Sequence, residues 1–313
     1  MDGLVTVVGG SGFVGRYVVQ ALCRTGVRVR VVCRRPRQAL FLKPLGDLGQ
    51  VQIAGGDVRR EDLLAAPLAG STAVINLVGT LDGDFSAIQA KGAGAVARAA
   101  RAVGAQALVH VSAIGADPKS PSRYGQSKGE GEALVREAFP QATILRPSII
   151  FGPEDSFTNR LAAMVRLAPI VPVVAGDTRI QPVWVGDVAE AIVESISSPE
   201  RFGGRLVALG GPRSYSLREL TATIVAETGV KRTLLDVPAV VARPMARIGS
   251  FLPGAPITWD QWMMLQSDNV VPAGTEGLDA FGIVPTPLEA KSSNWLVQYR
   301  KQGRFTRRNA AAA

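Results

Sequence analysis

The sequence predicts an α/β protein with a doubly wound parallel sheet. Three observations predict it. A glycine-rich turn lies between a β-branched strand and an apolar helix at the start of the chain. Short apolar strands then alternate with helical stretches, the pattern of right-handed βαβ crossovers. The composition, 47% hydrophobic and 19% charged in 313 residues, suits a globular core.

The amino-terminal turn carries the most information. Residues 4–8 form an uncharged, β-branched run that reads as a buried strand. Gly9, Gly12 and Gly15 follow, and the apolar helical pattern continues from Phe13 to Leu22. In a dinucleotide site the first glycine permits the tight turn and the second lets a pyrophosphate approach the backbone. The third lets the helix pack closely on the sheet. Ser11, Phe13 and Val14 share this turn, and the helix N-terminus offers N–H groups to phosphate. In this context the glycine spacing predicts a Rossmann fold.

Residues 27–33 read as the second strand, ending at Arg34 and Arg35. An NAD site would place an acidic residue here for the ribose 2′-hydroxyl, yet no Asp or Glu lies between Gly3 and Gly46. Guanidinium groups suit a 2′-phosphate, so NADPH (or NADP) is the expected cofactor. The competing reading of Arg34 and Arg35 is a solvated basic loop.

Residues 51–58 read as a third strand that brings Asp57 and Val58 near the adenine. Residues 73–79 form a fourth, with Leu77, Val78 and Gly79 at its carboxyl end, the side on which such sheets bind ligands. A helix over about 87–103 precedes a fifth strand, 107–112. Tyr124 and Lys128 then fall one helical turn apart on a helix running towards Phe139. An ammonium beside a phenol is expected to lower its pKa and prepare it for proton transfer. Residues 143–147 are a sixth strand, so that Pro147 and Ile150 complete the expected cofactor-facing set.

Two domains follow: an NADP(H)-binding domain over 1–150, and a smaller, irregular docking or substrate-like region over 151–313. A strand near 205–209 is expected to rejoin the sheet, and 165–174 reads as loops and short strands. After Pro238, the apolar residues Val240, Val241, Met245, Ile248, Phe251 and Leu252 line one side of a helix, and Arg243 and Arg247 another. This stripe suits either an interfacial docking helix or a cover for the protein's own core. Thr258 and Gln261 have capping-box spacing. Arg304, Arg307 and Arg308 form a basic tail suited to an acidic partner or lipid headgroups.

Cys23 and Cys33 give neither a disulfide framework nor metal spacing, and the single histidine, His110, reads as a satisfied strand residue, so no metal site is expected. The net charge of +9 is dispersed and lacks a reader motif, which argues against nucleic acid. An anionic cofactor with an acidic partner or anionic membrane surface accounts for it. No apolar run is long enough for a transmembrane segment, and the first strand leaves no room for a leader. The expected location is therefore cytoplasmic, in a bacterial cell.

The glycine turn, Gly56-Asp57-Val58, Asn76 to Gly79, Tyr124 with Lys128, Arg146-Pro147 and the segment 182–188 resemble the extended and atypical short-chain dehydrogenases/reductases. A narrower set covers nearly the whole chain: GRYVV at 15–19, LKPLGDLGQ at 42–50, VINL at 74–77, SRY at 122–124 and TPLE at 286–289. It is similar to the nucleotide-binding accessory subunit of respiratory complex I, NADH:ubiquinone oxidoreductase. The string at 42–50 is the most telling, because generic cofactor chemistry does not demand it. The resemblance implies a peripheral protein on the hydrophilic arm, on the cytoplasmic side of a bacterial inner membrane, bound to core subunits of complex I. There NADP(H) would be a structural or regulatory ligand. The superfamily's catalytic set would be Tyr124, Lys128 and a hydroxyl. Ser112 lies at the strand end, and Ala113 and Ile114 occupy the usual hydroxyl positions. That departure tilts the reading towards binding. An NADPH-dependent reductase or epimerase using Tyr124 and Lys128 is the alternative.

Overall fold

The computed structural model describes residues 3–252, 255, 257–301 and 303. They fall into two units: Met1–Pro147, Val185–Leu209 and Val271–Val284 in the first, and Ser148–Trp184, Gly210–Val270 and Pro285–Ala313 in the second. The chain thus crosses between units several times rather than dividing once near residue 150.

The first unit is built on seven parallel strands: β1 (Leu4–Val8), β2 (Arg28–Cys33), β3 (Val51–Gly55), β4 (Ala73–Asn76), β5 (Ala107–Val111), β6 (Thr143–Pro147) and β7 (Leu206–Leu209). Their order is β7-β6-β5-β4-β1-β2-β3, which makes the sheet doubly wound about β1. Every residue of β1, β4 and β5 is buried, which is why these central strands read as unbroken apolar runs. Helix α1 (Phe13–Arg24) packs with α4 (Val185–Ser197), and α2 (Gly92–Ala102) with α3 (Arg123–Ala138). The core beneath α2 and α3 joins Val8, Val74 and Leu108 of the sheet to Val96, Val135 and Phe139. The strand expected near 205–209 does rejoin the sheet, pairing Leu206 with Ile144.

The helix expected over 87–103 differs in its first turn. Ser86–Lys91 is a π-helical turn, and regular α2 begins only at Gly92. A Cβ at Gly92 would lie 2.8 Å from Val58 Cγ2, so the glycine marks where the helix closes on its neighbour.

The second unit holds three short strand pairs. Ile150–Phe151 runs parallel to Val183–Trp184, Arg179–Ile180 antiparallel to Tyr215–Ser216, and Ile170–Val174 parallel to Thr233–Val237. Its core stacks Phe151, Trp184 and Trp295. Within the TPLE string, Glu289 accepts a 2.8 Å hydrogen bond from the Tyr215 hydroxyl. The helix Ser156–Leu167, which contains part of the stretch expected to be irregular, is capped by Asp155, whose carboxylate accepts from the amides of Thr158 and Gly152. Thr258 and Gln261 form the capping box that their spacing predicts.

The helix Ala239–Gly249 settles the open question of its stripe. It packs through Ala242 and Ala246 against Ile257 and Trp262. Val240 and Phe251 are 82% and 87% exposed, and Val241, Ile248 and Leu252 are exposed with them. Ala242 and Ala246, with half-buried Met245, therefore cover the core, while the other large apolar residues of the stripe face outward. Arg243 and Arg247 lie over the Trp259 ring. The basic tail at Arg304, Arg307 and Arg308 falls outside the described residues. No helix among the described residues is long and apolar enough to cross a membrane.

Candidate dinucleotide site

The turn after β1 meets the steric demands of a phosphate cradle. Gly9 has φ +81°, and a Cβ there would lie 3.0 Å from Val78 Cγ2. Gly12 precedes α1, which has no side-chain cap and no acid in its first turn. A Cβ on Gly12 would meet one atom within 4 Å, the Gly9 carbonyl oxygen at 3.4 Å. The approach to the helix N-terminus over Gly12 is thus open, and the first N–H groups of α1 have no intrahelical acceptors. Gly15 plays a different part from the one expected. Its Cβ would lie 2.3 Å from the Gly10 carbonyl oxygen, so the close approach is to the turn's own backbone. Gly10 is the residue pressed on the sheet, against Val7 and Val31. The first turn of α1 folds back over the loop, which places Ser11, Phe13 and Val14 around it.

Arg34 and Arg35 stand exposed at the carboxyl end of β2. Asp57, beyond β3, is committed within its own loop. Arg59 Nε donates to both of its oxygens, at 3.0 and 3.1 Å. Those bonds hold its carboxyl below the usual range, with a smaller contribution from the charge of Arg34. Asp57 stands beyond the carboxyl end of β3, where it was expected, with its carboxylate bound by Arg59. Val58 is a core residue packed against Gly92.

At the end of β4, Asn76 Oδ1 accepts from the Val78 amide at 3.1 Å, and Nδ2 lies 3.2 Å from His110 Nδ1. This holds the Leu77–Val78–Gly79 turn and assigns the His110 proton to Nε2. The Nε2 atom has no partner among the described residues, so the histidine is satisfied on one side only. Burial, reinforced by the charge of Lys128, depresses its pKa to about 3.

Lys128 is buried beneath exposed Gly79, and Nζ donates to the Val111 carbonyl at 3.2 Å. Burial lowers its pKa to about 8, against the opposing charge of Glu132. Glu132 is in turn bound by Arg146 through two hydrogen bonds of 2.8 and 2.6 Å. The half-buried Tyr124 meets Phe85 edge-on, and Lys128 Nζ lies 6.0 Å from its ring centre. The expected lowering of the phenol pKa is overturned, because burial pushes Tyr124 up to about 12. Desolvation of the phenolate outweighs an ammonium aimed elsewhere.

Ser112 Oγ is buried with no partner among the described residues, while its amide donates to Leu145 at 2.7 Å. Ile114 donates to the Pro147 carbonyl at 3.0 Å, so both chain segments converge at the sheet's carboxyl edge. Ile150 belongs to the second unit. Gln89 is a buried residue that sequence reasoning missed. Its Nε2 donates to Ser127 Oγ at 3.1 Å and its Oε1 accepts from the Thr80 amide at 3.3 Å, tying the β4 turn to α3. The one signal was a lone amide within an alanine- and glycine-rich stretch.

Residues 5–210 match the model of the NAD dependent epimerase/dehydratase family. The Mus musculus protein NADH dehydrogenase (ubiquinone) 1 alpha subcomplex subunit 9, mitochondrial, is 35% identical over 305 residues, covering 95% of this chain and 80% of its own. A ceramide reductase of Caulobacter vibrioides is 34% identical over 243 residues, covering 75% and 74%. The fold is similar to that of an Escherichia coli NADPH-dependent quinone oxidoreductase complexed with NADPH, with a TM-score of 0.74 at 21% identity, covering 93% of this chain and 99% of that one. The glycine turn, the doubly wound sheet and these matches place the chain in the NAD dependent epimerase/dehydratase family, among the relatives of the mitochondrial alpha subcomplex subunit 9.

Proposed function

We propose that this chain is a non-catalytic, NADP(H)-binding accessory subunit of respiratory complex I that stabilises the hydrophilic arm near its membrane junction. The observation that carries the non-catalytic part is the state of Tyr124 and Lys128. The ammonium is turned to the Val111 carbonyl, 6.0 Å from the centre of the phenol ring, and burial disfavours the phenolate. Such a pair holds a cofactor's ribose better than it exchanges a proton. The assembly part is supported by the 35% identity to the mouse subunit across 95% of the chain.

In this reading the turn of Gly9, Ser11, Gly12, Phe13, Val14 and Gly15 takes the pyrophosphate. Arg34 and Arg35 take the 2′-phosphate and favour NADPH over NADH. Asp57 and Val58 border the adenine through backbone, and Leu77, Val78 and Gly79 line the nicotinamide half. Ser112, Tyr124, Lys128 and Pro147 surround the nicotinamide ribose; Ile150 is left out of this assignment. Bound NADPH would supply a hydride to a reductase; here its free energy of binding stabilises the folded subunit instead. The exposed apolar face at 240–252 with its two arginines suits an anionic membrane surface. In a bacterium the protein would sit peripherally on the cytoplasmic side of the inner membrane.

The Ser112 hydroxyl, without a partner among the described residues, and the 34% identity to a ceramide reductase favour a second reading, an NADPH-dependent reductase. Mild solubilisation of membranes separates the two. An accessory subunit migrates with complex I and carries nucleotide that does not turn over. A reductase runs alone and oxidises NADPH with a carbonyl substrate.

A further inference from the structure

The nucleotide site leaves unexplained the string at 42–50. In the structure its buried half is a rigid anchor. Leu42 is fully buried, and Gln50 Nε2 donates to the carbonyls of Cys23 and Val27, both at 2.9 Å. Gln50 Oε1 accepts from the Asp47 amide at 2.8 Å. A Cβ on Gly46 would lie 2.6 Å from Gln50 Oε1 and 2.7 Å from Cys23 Sγ, so a side chain here would have to displace the Gln50 anchor or Cys23. Its outer half is a display: Leu48 is fully exposed at the tip, with Leu40 and Phe41 also exposed nearby in sequence. A leucine held in water by a turn this constrained is preorganised apolar surface.

The same margin of the first unit carries two further features. β3 is the last strand of the sheet, and among the described residues no strand pairs with its outer edge. A cavity of about 510 Å³ is lined by β2, β3 and the 3-10 segment Pro36–Leu45, with Arg28, Arg37, Leu40, Lys43 and Ile53 in its wall and no carboxylate. The guanidinium of Arg30, also in that wall, is spent on Gln52 and the carbonyls of Pro67 and Ala69. Arg28, Arg37 and Lys43 have no hydrogen-bond or ion-pair partner among the described residues. The wall takes Leu4, Arg28 and Val51 from the strands' amino-terminal ends and reaches Pro36 and Arg37 just past β2, whereas the glycine turn lies at the carboxyl end of β1.

We propose that this margin docks an extended, acidic segment of a protein partner, which adds as a strand beside β3 and sets carboxylates against Arg28, Arg37 and Lys43 while an apolar residue covers Leu48. The proposal rests on the assembly reading above and names the surface it uses. An unpaired strand edge is completed by peptide backbone, which a lipid surface does not offer. Three unpartnered cations without a facing carboxylate select an acidic peptide. A second copy of this chain would bring the same cations against themselves.

The test uses the full chain within assembled membranes, with Leu48→p-benzoylphenylalanine as a photo-crosslinker and the adduct located by mass spectrometry. The expected adduct lies on one complex I subunit, in a segment rich in Asp and Glu. Its yield should fall about tenfold with Arg28→Glu and Lys43→Glu combined, while nucleotide content, a readout of folding at the other end of the sheet, stays constant. An adduct on a neutral or basic segment, on lipid, or on a second copy overturns the proposal, as does a yield indifferent to charge reversal. If the chain co-migrates with complex I yet forms no such adduct, this surface is refuted and the assembly reading survives. If the chain never co-migrates, both fail.

Discussion

Lys128 Nζ sits 6.0 Å from the centre of the Tyr124 ring and gives its hydrogen bond to the Val111 carbonyl. Two side chains spaced for catalysis along one helix are thus arranged for holding. Tyr124→Phe should leave NADPH retention within about threefold, because the phenol contributes at most one neutral hydrogen bond. Lys128→Met should weaken NADPH by more than about tenfold through loss of a charged donor. Equilibrium titration with NADPH checks both; a carbonyl reductase would instead lose turnover with Tyr124→Phe at unchanged affinity.

Lys128 also gives the site a pH dependence. Its pKa near 8 means the ammonium discharges between pH 7 and 9, so NADPH affinity should decline across that interval. With Lys128→Arg the side chain stays charged, and the decline attributable to this residue should vanish. Equal pH profiles for the two proteins would remove Lys128 from the cofactor.

The cradle makes a steric prediction. Gly12→Val places a branched side chain in the open approach to the N-terminus of α1, where it meets ligand but little protein. NADPH binding should be lost while the circular dichroism spectrum is kept. Gly9→Ala differs, since a positive φ and the Val78 contact should cost the fold about 1–2 kcal/mol. Chemical denaturation of the two variants separates a ligand defect from a folding defect.

Cofactor choice rests on the end of β2. Arg34→Asp should weaken NADPH by more than about tenfold, the loss of one charge-assisted contact, and change NADH affinity little. Parallel titrations with the two nucleotides check it, and equal losses would remove Arg34 from the 2′-phosphate.

His110 predicts an acid-sensitive fold. Burial holds its pKa near 3 against the 6.5 of an ordinary imidazole, so below pH 6.5 the unfolded chain takes up a proton that the native state refuses. Stability therefore falls as pH drops towards 3. Between pH 6.5 and 5 the wild type should lose roughly 1–2 kcal/mol more than His110→Asn, which keeps an acceptor for Asn76. Urea denaturation at the two pH values measures the difference.

Much of this was legible because the first unit obeys local rules. Buried parallel strands are unbroken apolar runs, and Gly9 and Gly12 have few substitutes in a phosphate turn. What was not legible depended on what each group meets across the fold. Tyr124 and Lys128 have the right spacing, but the phenol's pKa is set by burial, which spacing does not carry. Asp57 stands where expected, yet a residue two positions on claims its carboxylate. The stripe at 240–252 was read correctly as amphipathic, but only the structure shows that the alanines and Met245 face the core and the other large residues face outward.

In the proposed role the chain holds a nucleotide without turnover inside an assembly. The most direct measurement is the nucleotide content of complex I purified with this chain attached, extracted and separated by chromatography before and after incubation with NADH and quinone. One NADPH or NADP per complex, lost on deletion of this chain and unchanged in redox state during turnover, is the predicted result. An assembled complex that contains the chain but no phosphorylated dinucleotide, or one whose NADPH is consumed with each cycle, would contradict it.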